Sequence, residues 1–344
     1  MATESHDVLM IQDLVLGCWK SQALFSAVEL GVFDALAGGP KSAGQLAAAG
    51  GFSAEAGQKL LAACCGLGLL TKEGGDYRNT PPSQNHLVKG QPGYMGDLVM
   101  HIYRDVMPLW NRLTSAVVEN SNRWQQATGS ADGHFANLYQ DPERLETFLG
   151  TMHLYNLDTA RQVAHAFDFA PYFRLLDVGG ATGVFGAVVQ DAHSHVRSTV
   201  ADLPEVCRIA DRWIREKYGK AGRMDTVACN FLEEPLPGGY DLIYLGWVLH
   251  DWSDAVQRDL LRKCYEALPP GGAVLATETL VNEAGDGPLL PALLSLDMLV
   301  STDGGGESTG TELLERFRAA GFVNARVQAL PGMRDLIIGE KPAR

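Results

Sequence analysis

LLDVGGATGVFG (residues 175–186) is an apolar run that closes on an acid, Asp177, and then breaks into glycines. Glycines after a strand let something approach the main chain closely, and their spacing says what. A dinucleotide fold wants GxGxxG there; Gly179, Gly180, Ala181, Thr182 and Gly183 give it in no frame. The GK[ST] of a phosphate loop is absent too.

What remains is an acid closing one strand and a second, Asp202 in VADLP, closing the next. An acid at that second tip can accept hydrogen bonds from ribose hydroxyls. The ligand that fits is a nucleoside without a pyrophosphate, and S-adenosylmethionine is one.

Around the loop, strands and helices alternate. RLLDV, VRSTVAD, DTVAC, YDLIYL and AVLATETLV read as strands, with helices over 205–218 and 254–267 between them. This is the rhythm of a parallel sheet wound with helices, an α/β domain. Two last strands, near 324–330 and 335–340, are joined only by PGMR. So short a link makes an antiparallel hairpin, expected at the sheet edge.

The N-terminal third reads as short helices. Ser42 with Gln45 forms a capping-box pattern, and Ser53 caps AEAGQKLLAACCGLGLL. LLTKEGGDYRNT is strand–turn–strand around Gly74 and Gly75. Helices followed by a small wing are a winged-helix pattern. The third helix carries only Glu55 and Lys59 as charges, so a dimerisation element is expected rather than a DNA reader. Residues 91–170 read as helical and are rich in Met and aromatics, including Met107, Tyr139, Met152 and Tyr155, with His153 and Asn156 among them. Such a mixed lining suits a small-molecule pocket.

Composition narrows the classes. A chain of 344 residues with 46% hydrophobic and 20% charged residues is that of a globular enzyme. A net charge of −13 opposes nucleic-acid binding. The richest apolar stretch, PLLPALLSLDMLV, is too short and too interrupted to span a membrane. None of the six cysteines forms a CxxC pair, and His193 and His195 lack a third ligand nearby. No metal is expected, and the cytoplasm is the expected compartment.

With DVGGATG, ADLPEV, EEPLPGGYDLIYLGWVLHDWSD, LPPGGAVLATE and SLDMLVSTDGGGESTGTEL, nearly the whole chain resembles the plant-type and hydroxyindole-type O-methyltransferases, which include caffeate and acetylserotonin O-methyltransferases. The resemblance implies a winged-helix-like dimerisation domain over 1–90, a helical linker and substrate-pocket region over 91–170, and a Rossmann-like S-adenosylmethionine-binding domain over 171–344. It implies a homodimer in which the partner's N-terminal helix, around Trp19 to Leu24, contributes to each active site. By position it assigns His250 as general base with Glu278 and Glu307 bracketing it. It puts Tyr139, Asp177, Gly179, Asp202, Leu203, Asn230, Phe231 and Trp247 at the cofactor. It puts Met107, Met152, His153, Asn156, Asp251, Asp297 and Met298 at the acceptor.

The chemistry suits these residue types. Aligning a nucleophile with the methyl of a sulfonium contributes up to about 7–11 kcal/mol. A hydroxyl must also lose a proton, and a positioned histidine contributes about 10²–10⁴-fold.

The chain departs from the family pattern at four points. Ala181 replaces a glycine; alanine accepts most conformations except positive φ, so cofactor binding is expected to survive. Asn230 replaces an Asp and Gly246 a basic residue, both near the adenine. Asp297 replaces the Asn of hydroxyindole relatives, which opens S-methylation of a thioether such as 4-methylthio-2-hydroxybutyrate as an alternative to O-methylation. An acid beside a forming sulfonium stabilises it. An NAD-dependent oxidoreductase, opposed by the missing GxGxxG, and a non-catalytic binding protein are the rival classes.

Overall fold

Leu175 and Leu176 sit side by side in the chain and bury on opposite faces of one sheet, as do Leu242 and Ile243. Successive strand residues point to opposite faces, so a strand covered on both sides reads as an unbroken apolar run. The computed structural model describes residues 2–130, 139 and 141–343; part of the helical stretch expected over 91–170 thus lies outside the described residues. The chain folds as two units, Met1–Met107 and Pro108–Arg344.

The first unit starts with the long helix α1 (Ala2–Glu29), followed by α2 (Val32–Ala35), β1 (Lys41–Ser42), α3 (Ala43–Gly50), α4 (Ala54–Gly66), β2 (Leu70–Glu73), β3 (Asp76–Asn79), α5 (Pro81–His86) and α6 (Gly96–His101). Ser42 and Gln45 form the expected capping box, and the Ser53 hydroxyl accepts from the Ala56 amide. The α4 helix stops at Gly66, short of the expected Leu70, because Leu70 opens β2. Gly74 and Gly75, at φ 56° and 98°, make the turn between β2 and β3. Both positive φ values suit a tight hairpin. The wing pairs antiparallel in the order β1–β3–β2.

In the second unit, α7 (Leu113–Glu119), α8 (Trp124–Thr128) and the long α9 (Pro142–Ala166) precede the sheet. Then come β4 (Arg174–Val178), α10 (Val184–Ala192), β5 (Arg197–Asp202), α11 (Pro204–Glu216), β6 (Met224–Ala228), β7 (Leu242–Gly246), α12 (Asp254–Ala267), β8 (Ala273–Glu278), α13 (Leu289–Ser301), α14 (Gly310–Ala319), β9 (Val323–Gln328) and β10 (Asp335–Glu340). The strand order is β6–β5–β4–β7–β8–β10–β9. The first five are parallel, and β10 runs antiparallel to both neighbours.

The expected hairpin is there, with β9 outermost and β10 inside it. Leu336, Ile337 and Ile338 in β10 are buried, while Val323, Asn324 and Glu340 are not. The chain leaves β4 toward β5 on one side and returns as β7 on the other. That reversal opens a crevice at the carboxyl ends of β4 and β7, where open α/β sheets bind ligands.

Gly186 explains how α10 lies so close to β5. A Cβ there would meet Ser198 Oγ at 2.4 Å.

Candidate functional site

At the end of β4 the backbone turns through φ 66° at Gly179, 50° at Ala181 and 76° at Gly183. Ala181 therefore occupies the one region alanine disfavours. A left-handed L-residue carries about 1–2 kcal/mol. The loop is held open by Asp202, whose Oδ2 accepts from the Ala181 amide at 3.0 Å and whose Oδ1 accepts from Leu203 N at 2.8 Å. Two lone pairs of that carboxylate stay available. Burial raises Asp202 to about 6, the two amides opposing it. Asp177 lies beneath Gly180, where a Cβ would strike its Cγ at 2.6 Å. Burial, then the charge of Asp202, raises Asp177 to about 8, and its Oδ2 has no partner among the described residues.

These groups edge a cavity of about 300 Å³. Gly179, Ala181, Asp202 and Leu203 form one wall; Asn230, Phe231 and Leu232 form the next. Gly246, Trp247, Val248, Asp251 and Trp252 come from the end of β7 and the turn behind it. Phe148, Met152 and Asn156, spaced four apart on one face of α9, line it together with Tyr139. Asn230 Oδ1 accepts from Leu232 N at 3.2 Å, so its amide is fixed at the rim.

Beyond β7 a 3-10 turn, Leu249–Asp251, carries His250. Its Nδ1 lies 2.9 Å from Glu307 Oε1, with both side chains buried. Its Nε2 lies 3.5 Å from Asp251 Oδ1. The indole of Trp247 stacks on the imidazole, centroids 4.9 Å apart and planes 9° from parallel. Trp247 itself is at φ 59°, a costly conformation for a bulky residue and one met at functional sites.

Glu278 closes β8 and accepts from the amides of Val248 at 3.2 Å and Leu249 at 2.9 Å, fixing the turn under His250. The loop of Glu307 is tied to the same turn by Gly306 N donating to His250 O at 2.8 Å, and Ser295 Oγ accepts from Glu307 N at 3.2 Å. Polar atoms of His250, Glu278 and Glu307 converge within 4.8 Å. Burial raises Glu278 to about 7 and Glu307 to about 8; the charge of His250 opposes the first shift and that of Arg334 the second. Asp251 is raised to about 6, again chiefly by burial.

The remaining residues singled out from sequence are not among those lining this cavity. Asp297, on α13, accepts from Trp110 Nε1 at 2.6 Å, and Met298 beside it is buried. His153 faces the back of the glycine loop: its Nδ1 is 3.1 Å from Tyr218 OH and 3.4 Å from Thr182 Oγ1. Burial, then Lys217 and Arg161, lowers it to about 4, so it is neutral there. Met107 packs half-buried against the core of the first unit. His193 and His195 each place Nε2 against a backbone carbonyl, of Ala164 and Phe169.

Sequence reasoning missed Arg334. Its guanidinium is buried, lies 4.0 Å over the Trp247 ring and donates from Nη1 to Asn156 Oδ1 at 2.5 Å. The only sequence signal was its place in PGMR, the short link into β10.

A family model described as the O-methyltransferase domain matches residues 110–323, and one described as the O-methyltransferase dimerisation domain matches 12–89. The 3-hydroxy-5-methyl-1-naphthoate 3-O-methyltransferase of Streptomyces sahachiroi is 38% identical over 96% of this chain and 95% of its own. Among solved structures, PigF with SAH superposes at TM-score 0.91, with 35% identity over 97% of this chain and 99% of that one. Human N-acetylserotonin methyltransferase in complex with SAM superposes at 0.90, with 32% identity over 98% of each.

Proposed function

This chain belongs to the S-adenosylmethionine-dependent O-methyltransferase family, its N-terminal unit being the dimerisation domain, and we propose that it methylates a hydroxyl of a small, largely apolar acceptor with His250 as general base. The cofactor supplies, when bound, an electrophilic methyl group on a sulfonium.

The cavity fits that cofactor. Asp202 has lone pairs for the ribose hydroxyls. Leu203 and Phe231 offer apolar walls for adenine, with the Asn230 amide at its edge. Gly179 lets the amino-acid end approach the backbone, and the unpartnered Oδ2 of Asp177 suits its ammonium group. Tyr139 and Trp247 flank the remainder.

The observation that carries the reading is the buried contact between His250 Nδ1 and Glu307 Oε1. An ionised Glu307 accepts from Nδ1–H and leaves the Nε2 lone pair free for an acceptor's proton. Removing that proton matters for a hydroxyl and not for a thioether. Met152, Asn156 and Asp251 are the acceptor contacts best supported by the cavity, with Asp297, Met298 and Met107 further out in the proposal. We assign His153 to supporting the glycine loop through Thr182. The Streptomyces relative is named for methylating the 3-oxygen of a hydroxynaphthoate, which favours a ring hydroxyl here as well.

Methyl-labelled cofactor incubated with phenols, hydroxylated naphthoates, indoles and methylthio acids tests this. Label in an aryl methyl ether is the expected result; label only in sulfonium products would overturn it.

The dimer extends the same reading. Val8, Leu9, Ile11, Leu14, Val15 and Trp19 are exposed along α1, more apolar surface than a lone helix leaves in water. The partner's α1, around Trp19 to Leu24, completes each active site in this proposal. Light scattering of Trp19→Glu should give a monomer with impaired transfer; a fully active monomer contradicts helix exchange.

A further inference from the structure

Arg334 is the last residue of the six-residue link between β9 and β10. The next residue, Asp335, pairs with Glu278 across the sheet. That register carries Arg334 to the carboxyl end of β8, beside the acids of the site. A buried guanidinium is costly unless its charge and donors are met. Here the Trp247 face and Asn156 meet it in part, while Nε and Nη2 have no partner among the described residues. Glu278 Oε2 and Glu307 Oε2 are buried and likewise unpartnered. Two donors and two acceptors of opposite charge are thus left over in one neighbourhood.

We propose that Arg334 is a positioning residue for methyl transfer: seated on Trp247 and tied to Asn156, its guanidinium favours the ionised form of Glu307 and with it the His250 tautomer that can act as base. This rests on His250 being the base, the reading given above. The logic is that of a relay. A protonated Glu307 would donate to Nδ1 and force the proton of neutral His250 onto Nε2, which then has no lone pair for the acceptor.

Burial pushes Glu307 toward that inactive form. Asp251 on the 3-10 turn, Glu278 on β8 and Asp297 on α13 are the other acids of this neighbourhood, and burial raises Asp251 and Glu278 as well. Tyr244 on β7 and Tyr155 on α9 face Arg334 as neutral groups. Against these, Arg334 brings the fixed positive charge, and it opposes the upward shift of Glu307. Trp247 touches both Arg334 and His250, so the same side chain also braces the indole on which the imidazole stacks.

The test reads the imidazole directly and needs no acceptor. Full-length protein labelled with ¹⁵N-histidine is compared by long-range proton–nitrogen correlation with His250→Gln, which identifies the His250 signals. The native protein should carry its proton on Nδ1 once Glu307 has ionised, above about pH 8. In Arg334→Met the proton should move to Nε2, with the Glu307-linked transition displaced upward by about one pH unit or more. Arg334→Lys keeps the charge and should keep the native tautomer. Circular dichroism identifies a misfolded variant; if Arg334→Met does not fold, Arg334→Lys alone decides, and loss of the native tautomer in it overturns the proposal. An unchanged tautomer and titration in folded Arg334→Met also overturns it. Neither result depends on turnover, so failure here is separable from failure of the base assignment.

Discussion

His250 Nδ1 lies 2.9 Å from Oε1 of Glu307, a carboxyl whose side chain is wholly shielded from solvent. Histidine and acid come from segments far apart in sequence, brought together by the 3-10 turn after β7 and the loop after α13. The contact decides which imidazole nitrogen is free, and so whether the site can deprotonate anything.

Glu307→Gln keeps the shape and removes the charge. Nδ1 would lose its carboxylate acceptor and the tautomer preference would weaken. A fall in kcat of at least about 10²-fold is expected, in line with other amide-for-acid changes behind a catalytic histidine. Affinity for S-adenosylhomocysteine should stay within a few-fold. Single-turnover rates and calorimetry on the same preparation separate the two effects.

Asp177 is held near 8 by burial and the charge of Asp202, so it is mostly protonated at neutral pH. A cofactor ammonium beside it would favour the charged carboxylate. Binding of S-adenosylhomocysteine near pH 7 should therefore release protons, and Asp177→Asn should release fewer. Calorimetry in buffers of different ionisation enthalpy measures this; equal release in both proteins would remove Asp177 from the ammonium site.

The buried acids also set how stability depends on pH. Asp177 rises from 3.8 to about 8, Asp202 from 3.8 to about 6, Glu278 from 4.5 to about 7 and Glu307 from 4.5 to about 8. Each binds its proton more tightly folded than unfolded. The folded state thus holds more protons in that window, and stability falls as pH rises between about 5 and 8. Asp254 and Asp259, held low by arginines, act in the opposite sense only at more acid pH. Thermal melts of the ligand-free protein should drop across the window, and Glu307→Gln should flatten the slope. A rise in Tm with pH would show the acids to be better compensated than described.

Asp202→Asn should weaken S-adenosylhomocysteine binding by about 10-fold or more, because charged acceptors make the stronger hydrogen bonds. It also loosens the hold on the Ala181 amide. Direct titration checks it, and an unchanged Kd would move the ribose elsewhere.

The parallel strands were legible because burial on both faces writes itself as LLDV and LIYL, runs no amphipathic helix would show. Ser42 and Ser53 announced their helices through capping chemistry that is local in the chain. What stayed hidden depends on distant partners. The positive φ of Ala181, 50°, and its bond to Asp202 are features that spacing does not reveal. The bond from Trp110 Nε1 to Asp297 spans 187 residues, and no spacing announces it. Arg334 was one cation in a turn, and only the pairing of β10 with β8 takes it to Glu278. The family motifs singled out His250, Glu278 and Glu307; their convergence required the fold.

The most direct test of the account is His250→Ala assayed for methyl transfer against pH, using whichever acceptor the labelled-cofactor screen identifies. A base at work gives the native protein a rate that rises with pH, and the substitution should cost at least about 10²-fold in kcat with cofactor binding preserved. A His250→Ala enzyme within a few-fold of native, on a flat pH profile, would contradict proton removal by His250 and point to an acceptor with no proton to lose.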